Sequence, residues 1–190
     1  MMTVFEKMEF CAANALNPED AAFSRILALL GDDNWRVRHA AAVALGDRRD
    51  PRAVDALVQI LDRENEAPLF NQPKLEGGAH AGSAAVFDVI FPPGTTEETK
   101  EVWRRRGRLI QSACLALGNI GTATPDVLAL LNDYALDQGR DYAVRAAACK
   151  ALGQLARPES LAVLEKAAKD EEWCTSREAQ KAIGKIRALA

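Results

Sequence analysis

Apolar residues recur along this chain at 0, +3, +4, +7, +8 and +11 within four aligned blocks, residues 37–46, 109–118, 144–153 and 175–184. In the third block they are Val144, Ala147, Ala148, Ala151, Leu152 and Leu155. That spacing is one stripe of a helix with about 3.6 residues per turn. Every block ends on a glycine at +9: Gly46, Gly118, Gly153 and Gly184. The glycine falls between the last two core positions, off the buried stripe. It predicts close approach of the chain leaving the helix, or a left-handed cap. Pro51, Pro125 and Pro158 follow the first three blocks, and Pro18 precedes the first. Each opens another apolar-periodic stretch (residues 21–30, 53–61, 127–134 and 161–168), as proline does in a helix's first turn. The unit is therefore a pair of antiparallel helices. A unit that cannot bury its apolar face alone implies a stacked array.

Spacing exposes one irregularity. Gly153 and Gly184 are 31 residues apart and Gly118 and Gly153 are 35, but Gly46 and Gly118 are 72. Roughly forty extra residues sit inside the second unit. Residues 63–94 hold Pro68, Pro73, Pro92 and Pro93, Gly77-Gly78, and the strand-like run AAVFDVIF at 84–91. An insertion of this length is uncommon without a role. Thr95 with Glu98 predicts a capping box starting a helix toward Trp103. Residues 4–16, with apolar Val4, Met8, Cys11, Ala12 and Ala15, read as a degenerate half-repeat. The expected organisation is a single domain over 1–190. It comprises a cap at 1–17 and repeats at 18–50, 51–123 (insertion about 63–94), 124–157 and 158–190.

The segments PRAVDALVQILD (51–62), WRVRHAAAVALG (35–46) and YAVRAAACKALGQL (142–155) resemble HEAT-like repeats of the short bacterial type found in phycobilin lyase subunits. The resemblance covers residues 18–62 and 108–190. It implies an all-α fold, an α-α superhelix (a short HEAT-like solenoid with one long insertion), whose second helices line a concave binding face. It also implies an Asp–Arg pair between the inter-helix turn and the second helix, here Asp32 with Arg38. As an alternative function it implies a lyase or chaperone-like enzyme subunit handling a tetrapyrrole.

Composition narrows the function classes. Charged residues are 27% and hydrophobic ones 48%, so the chain is globular. A net charge of -3 gives no general reason to expect nucleic acid. The first residues carry Glu6, Lys7 and Glu9 and no long apolar run, so neither a signal peptide nor a membrane span is expected. Four cysteines without paired short spacing point to reduced thiols and a cytoplasmic setting. Cys114 and Cys149 share position +5, where the first block has Ala42, and read as small buried packing residues in thiol form.

Catalytic chemistry is thinly supplied. His39 and His80 are the two histidines, and neither has a ligand partner at metal spacing. No metal, cofactor or catalytic residue is implied, and the balance favours a binding module over an enzyme. Trp35, Tyr142 and Trp173 share position -2 at helix entrances, where they cover core ends; Gly107 breaks that row. Arg104, Arg105, Arg106 and Arg108 form a candidate anion site, although Glu97, Glu98 and Glu101 lie alongside. Positions +2 and +6 point away from the core stripe. They read His39 and Val43, Gln111 and Leu115, Ala146 and Lys150, Arg177 and Lys181, with His39 expected on the exposed concave side. This gradient from apolar to basic suits a protein partner presenting an acidic amphipathic segment. The insertion is expected to pack on its own repeats around Gly107 through Phe87, Ile90 and Phe91, gating the groove; homodimerisation through it is the second reading.

Overall fold

The computed structural model describes residues 2–65, 74–76, 88–90 and 94–189; for 63–65, 74–76, 88–90, 101 and 103–106 it describes the backbone only. The helices among these residues are α1 (Val4–Asn14), α2 (Asp20–Leu29), α3 (Trp35–Arg48), α4 (Val54–Asn65), α5 (Glu97–Ile120), α6 (Pro125–Leu136), α7 (Tyr142–Leu155), α8 (Leu161–Ala167) and α9 (Trp173–Arg187). A small antiparallel ribbon, β1 (Lys74–Glu76) with β2 (Asp88–Ile90), sits in the insertion, with Leu75 opposite Val89. The strand-like run thus finds its partner within the insertion, a destination the sequence reading had not included. Phe87 and Phe91 lie outside the described residues, and of Ile90 only the backbone is described.

Local chemistry sets the helix starts. Thr3 and Glu6 form a reciprocal capping box on α1. Asn34, Thr124 and Asp141 cap α3, α6 and α7 through side-chain oxygens, each cap contributing about 1 kcal/mol. Pro125 stands at the start of α6, whereas Pro51 and Pro158 open short 3₁₀ turns that run into α4 and α8. The cap of α5 is Thr96, accepting from the Thr99 amide, one residue beyond the expected Thr95–Glu98 box. From there α5 continues unbroken through the second block, so the expected short helix and the block are one element.

Helices pair as α2/α3, α4/α5, α6/α7 and α8/α9, while α1, α3, α5, α7 and α9 pack in succession as an inner layer. This is the α-α superhelical arrangement implied by the repeats. Leu45, Leu57, Leu61, Leu109, Leu117, Leu131, Leu152 and Leu164 are fully buried between the layers. Tyr134 is fully buried as well: its hydroxyl donates to the Leu61 carbonyl at 2.9 Å, and the Arg140 guanidinium lies 3.7 Å over its ring. Burial pushes its phenol well above the usual range.

The +9 glycines are places of close approach between helices. A Cβ on Gly46 would stand 2.8 Å from Ala116 Cα, one on Gly118 2.7 Å from Ala151 Cα, and one on Gly153 2.8 Å from Ala182 Cα. In each case the neighbour is the +7 alanine of the next inner helix. The left-handed caps lie three residues further on, at +12: Arg49 (φ 57°), Gly121 (φ 80°) and Ala156 (φ 53°). Of the two roles the sequence allows for the +9 glycine, close approach is the one realised, and it is to the neighbouring helix.

Ion pairs run between repeats. Arg145, buried in α7, binds both carboxylate oxygens of Asp170 at 3.0 Å, ahead of α9. The Asp32 carboxylate instead takes Lys7 of α1 at 2.5 Å, and Arg38 donates to the Asp32 and Asp33 carbonyls. The expected Asp32–Arg38 pair is thus present through the Asp32 carbonyl, while the carboxylate itself ties the turn to the preceding helix through Lys7, which lowers the Asp32 pKa with help from the Arg38 charge. Both Lys7–Asp32 and Arg145–Asp170 span 25 residues. Registering α1 by that pair puts Cys11 at the Cys114 and Cys149 position, Ala15 at the glycine position and Ala13 at the +7 alanine position. The burial of Cys11 and Ala15 agrees, and the exposure of Val4 and Ala12 corrects the stripe read from sequence.

Candidate functional site

Inner-helix positions +2, +6 and +10 fall one helical turn apart on the same side, so successive helices present parallel rows with furrows between them. Between α3 and α5 a cavity of about 210 Å³ is lined by His39, Val43, Gly46 and Asp47 from one helix. Arg108, Gln111, Ser112, Leu115, Ala116 and Asn119 line it from the other. His39, Val43, Gln111 and Leu115 are therefore brought together as their shared register implies. Val43 is 42% exposed and forms an accessible apolar wall.

His39 is half-buried rather than exposed. Its Nδ1 is enclosed without a hydrogen-bond partner. Burial lowers its pKa below the ordinary value, against the pull of the Arg108 backbone. Burial thus favours the uncharged imidazole, and Arg108 and Asp47 are the charged side chains lining this cavity.

Between α7 and α9 a second cavity of about 270 Å³ is lined by Lys150, Gly153 and Gln154, facing Glu178, Lys181, Ala182 and Lys185. Lys181 reaches Glu178 at 2.5 Å within its own helix, and three lysines against one glutamate leave this end cationic. Arg177 lines neither cavity; its guanidinium lies 4.7 Å over the half-exposed Trp173 ring.

The sequence reading missed the +10 row: Asp47, Asn119, Gln154 and Lys185 all line these cavities. Continuing the +2, +6 series by one further turn would have found them. Gln154 Nε2 donates to Asn119 Oδ1 at 2.6 Å, bridging α7 and α5 along that row. Arg108 lines the first cavity, while the side chains of Arg104, Arg105 and Arg106 lie outside the described residues. The side of Gly107 where a Cβ would stand faces Asp141 Oδ2 at 3.2 Å. The proposed contacts of Phe87, Ile90 and Phe91 there are outside what is described.

The cysteines are free, and Cys114 and Cys149 are buried, their thiols pushed by burial up to about 12. Among the described residues no group of three His, Cys, Asp or Glu side chains could hold a metal ion, and no helix is long and apolar enough to cross a membrane.

The family model for HEAT repeats matches residues 9–69 and 134–189, more than half of the chain. No curated protein matches. Among solved structures, human deoxyhypusine hydroxylase in complex with glycerol is 18% identical, with 98% of this chain and 81% of that one covered at a TM-score of 0.34. An engineered protein is 14% identical over 97% of this chain and 90% of its own, at a TM-score of 0.36. With the periodic helix pairs and the layered packing already in place, the family match identifies the chain as a member of the HEAT repeat family.

Proposed function

We propose that this protein is a non-enzymatic binding scaffold whose inner-helix face takes an acidic amphipathic segment of a partner protein. One observation carries the reading: on the inner-helix face the α3/α5 cavity has an apolar wall at Val43 and Leu115, and the α7/α9 cavity, two repeats further along, is cationic at Lys150, Lys181 and Lys185. A helix with leucines on one face and carboxylates toward one end matches that order, burying its apolar anchors while its charges steer and orient it.

The test uses a fluorescein-labelled amphipathic peptide with leucines on one face and glutamates on the other, beside its glutamine counterpart, followed by fluorescence anisotropy. The glutamate peptide should bind at least about tenfold more tightly in low salt, a difference that shrinks as salt is added. Leu115→Asp should abolish binding of both peptides, whereas Lys150→Glu with Lys181→Glu should remove the glutamate preference alone. Equal binding of the two peptides, or binding unaffected by either variant, overturns the proposal.

A further inference from the structure

The two inner-face cavities stand at one level of the array, and helix packing fixes the distance between them. At Gly46, Gly118 and Gly153 a Cβ would stand 2.7–2.8 Å from the Cα of the +7 alanine on the next inner helix. Contacts this close put neighbouring axes toward the near end of the usual spacing of about 8–10 Å. They also step successive helices by only two register positions. Val43, Leu115, Lys150 and Lys181, the +6 residues, therefore form a row that crosses the helices. The α3/α5 and α7/α9 cavities are two helix steps apart on that row, a separation of about 16–20 Å.

The wall between the cavities is one packed unit. Asn119 lines the first cavity and Gln154 the second, and the 2.6 Å hydrogen bond from Gln154 Nε2 to Asn119 Oδ1 ties them together. Gly118 lies against Ala151 between the same two helices. A segment lying lengthwise in one furrow meets either the apolar wall or the lysines. A segment that meets both has to cross α5 and α7. The backbone groups of those helices are bonded within each helix, so an extended segment crossing them finds no strand edge to pair with. A helical segment satisfies its own backbone. At 1.5 Å per residue it spans the separation in about 11–13 residues, and 11 residues make three turns and about 20°, which returns to the same face.

Taking the proposed partner as given, we infer that it binds as a single α-helix of about four turns lying across α5 and α7. An apolar side chain at its position i fills the α3/α5 cavity between Val43 and Leu115. Carboxylates at i+11 and i+14 meet Lys150 and Lys185, because Lys181 is already held by Glu178 at 2.5 Å. The array thus selects its partner by the distance between two features as well as by their chemistry.

Three fluorescein-labelled peptides of equal length and composition test the spacing against the full wild-type chain by fluorescence anisotropy. All carry the same apolar cluster around position i. Their two glutamates stand at i+4 and i+7, at i+11 and i+14, or at i+18 and i+21, since a shift of seven residues turns the face by only about 20°. Each has a glutamine counterpart. In low salt the i+11 peptide should bind at least about fivefold more tightly than the other two, and replacing its glutamates by glutamine should remove that margin. A photoreactive benzoylphenylalanine at i should attach to α3 or α5, and one beside i+14 to α7 or α9, as read by mass spectrometry. Either other spacing binding most tightly, or both photoreactive positions attaching to the same pair of helices, overturns the inference. An equal glutamate preference at all three spacings also overturns it, while leaving the scaffold reading in place. A glutamate preference at no spacing overturns that reading and the crossing helix with it.

Discussion

Replacing each +9 glycine by alanine separates what glycine costs a helix from what it permits between helices. In a helix interior, glycine is about 0.8–1.0 kcal/mol less favourable than alanine. All four substitutions carry that gain, reduced somewhat at Gly184, which lies in the last turn of α9. Interior sites then lose far more. The new methyl of Gly46→Ala would stand 2.8 Å from Ala116 Cα and 2.9 Å from its Cβ, and that of Gly153→Ala 2.8 and 2.7 Å from the same atoms of Ala182. Carbon atoms prefer about 3.5–4.0 Å, so the helices must separate by most of an ångström. No rotamer change relieves a contact with backbone, which places the cost toward the upper part of the roughly 1–3 kcal/mol range for overpacking. The net expectation is a loss of about 1–2 kcal/mol at Gly46, Gly118 and Gly153, and a gain of about 0.5–1 kcal/mol at Gly184. Urea unfolding followed by circular dichroism measures both signs. In thermal unfolding the interior variants should melt several degrees lower, at about 2–4 °C per kcal/mol for a chain of this size. If Gly153→Ala stabilises as much as Gly184→Ala, the helices are not in the contact that assigns the glycine its role.

Further expectations follow from other parts of the array. Arg49 and Ala156 occupy left-handed caps that glycine fills at Gly121; Arg49→Gly and Ala156→Gly should each raise stability by about 0.5–1 kcal/mol in urea unfolding, and Gly121→Ala should lower it by about 1 kcal/mol. Burial alone would raise the Asp170 pKa, but the bonds from Arg145 and Gln138 hold it below the ordinary value. A carboxylate depressed in the folded state gives stability that is present above its unfolded pKa and lost as pH falls through the folded one. Asp170→Asn should therefore be destabilising at pH 7, by about 3–5 kcal/mol if Arg145 is left buried and unpaired. Its penalty should shrink in acid below about pH 4, and a penalty constant from pH 7 to pH 2 would refute that account.

Periodicity made the architecture legible because a packed helix pair imposes it on every turn: a core position filled by a charge is costly, so +4, +7 and +8 are apolar in all four blocks, while +3 and +11 at the stripe's edges admit Glu178 and Arg48. The insertion carries no such constraint, and its ribbon depends on Lys74–Glu76, a run with one apolar residue and too short to give a strand signature. Contacts between successive units were harder to read, since the helical period says which side is buried and not what buries it. They are visible only when the blocks are compared. Position +7 is Ala44, Ala116, Ala151 and Ala182, and +9 is Gly46, Gly118, Gly153 and Gly184, on either side of a core leucine or isoleucine at +8. A position held to the smallest residue in every unit is one where a neighbouring backbone arrives. The furrow positions behave oppositely. The +6 row runs Val43, Leu115, Lys150, Lys181 and the +10 row Asp47, Asn119, Gln154, Lys185, both changing from apolar or acidic to basic along the chain. Packing leaves these side chains free to vary, so their ordered drift in charge is a property of the surface the array presents, and it is there that a partner would be distinguished from others of the same shape.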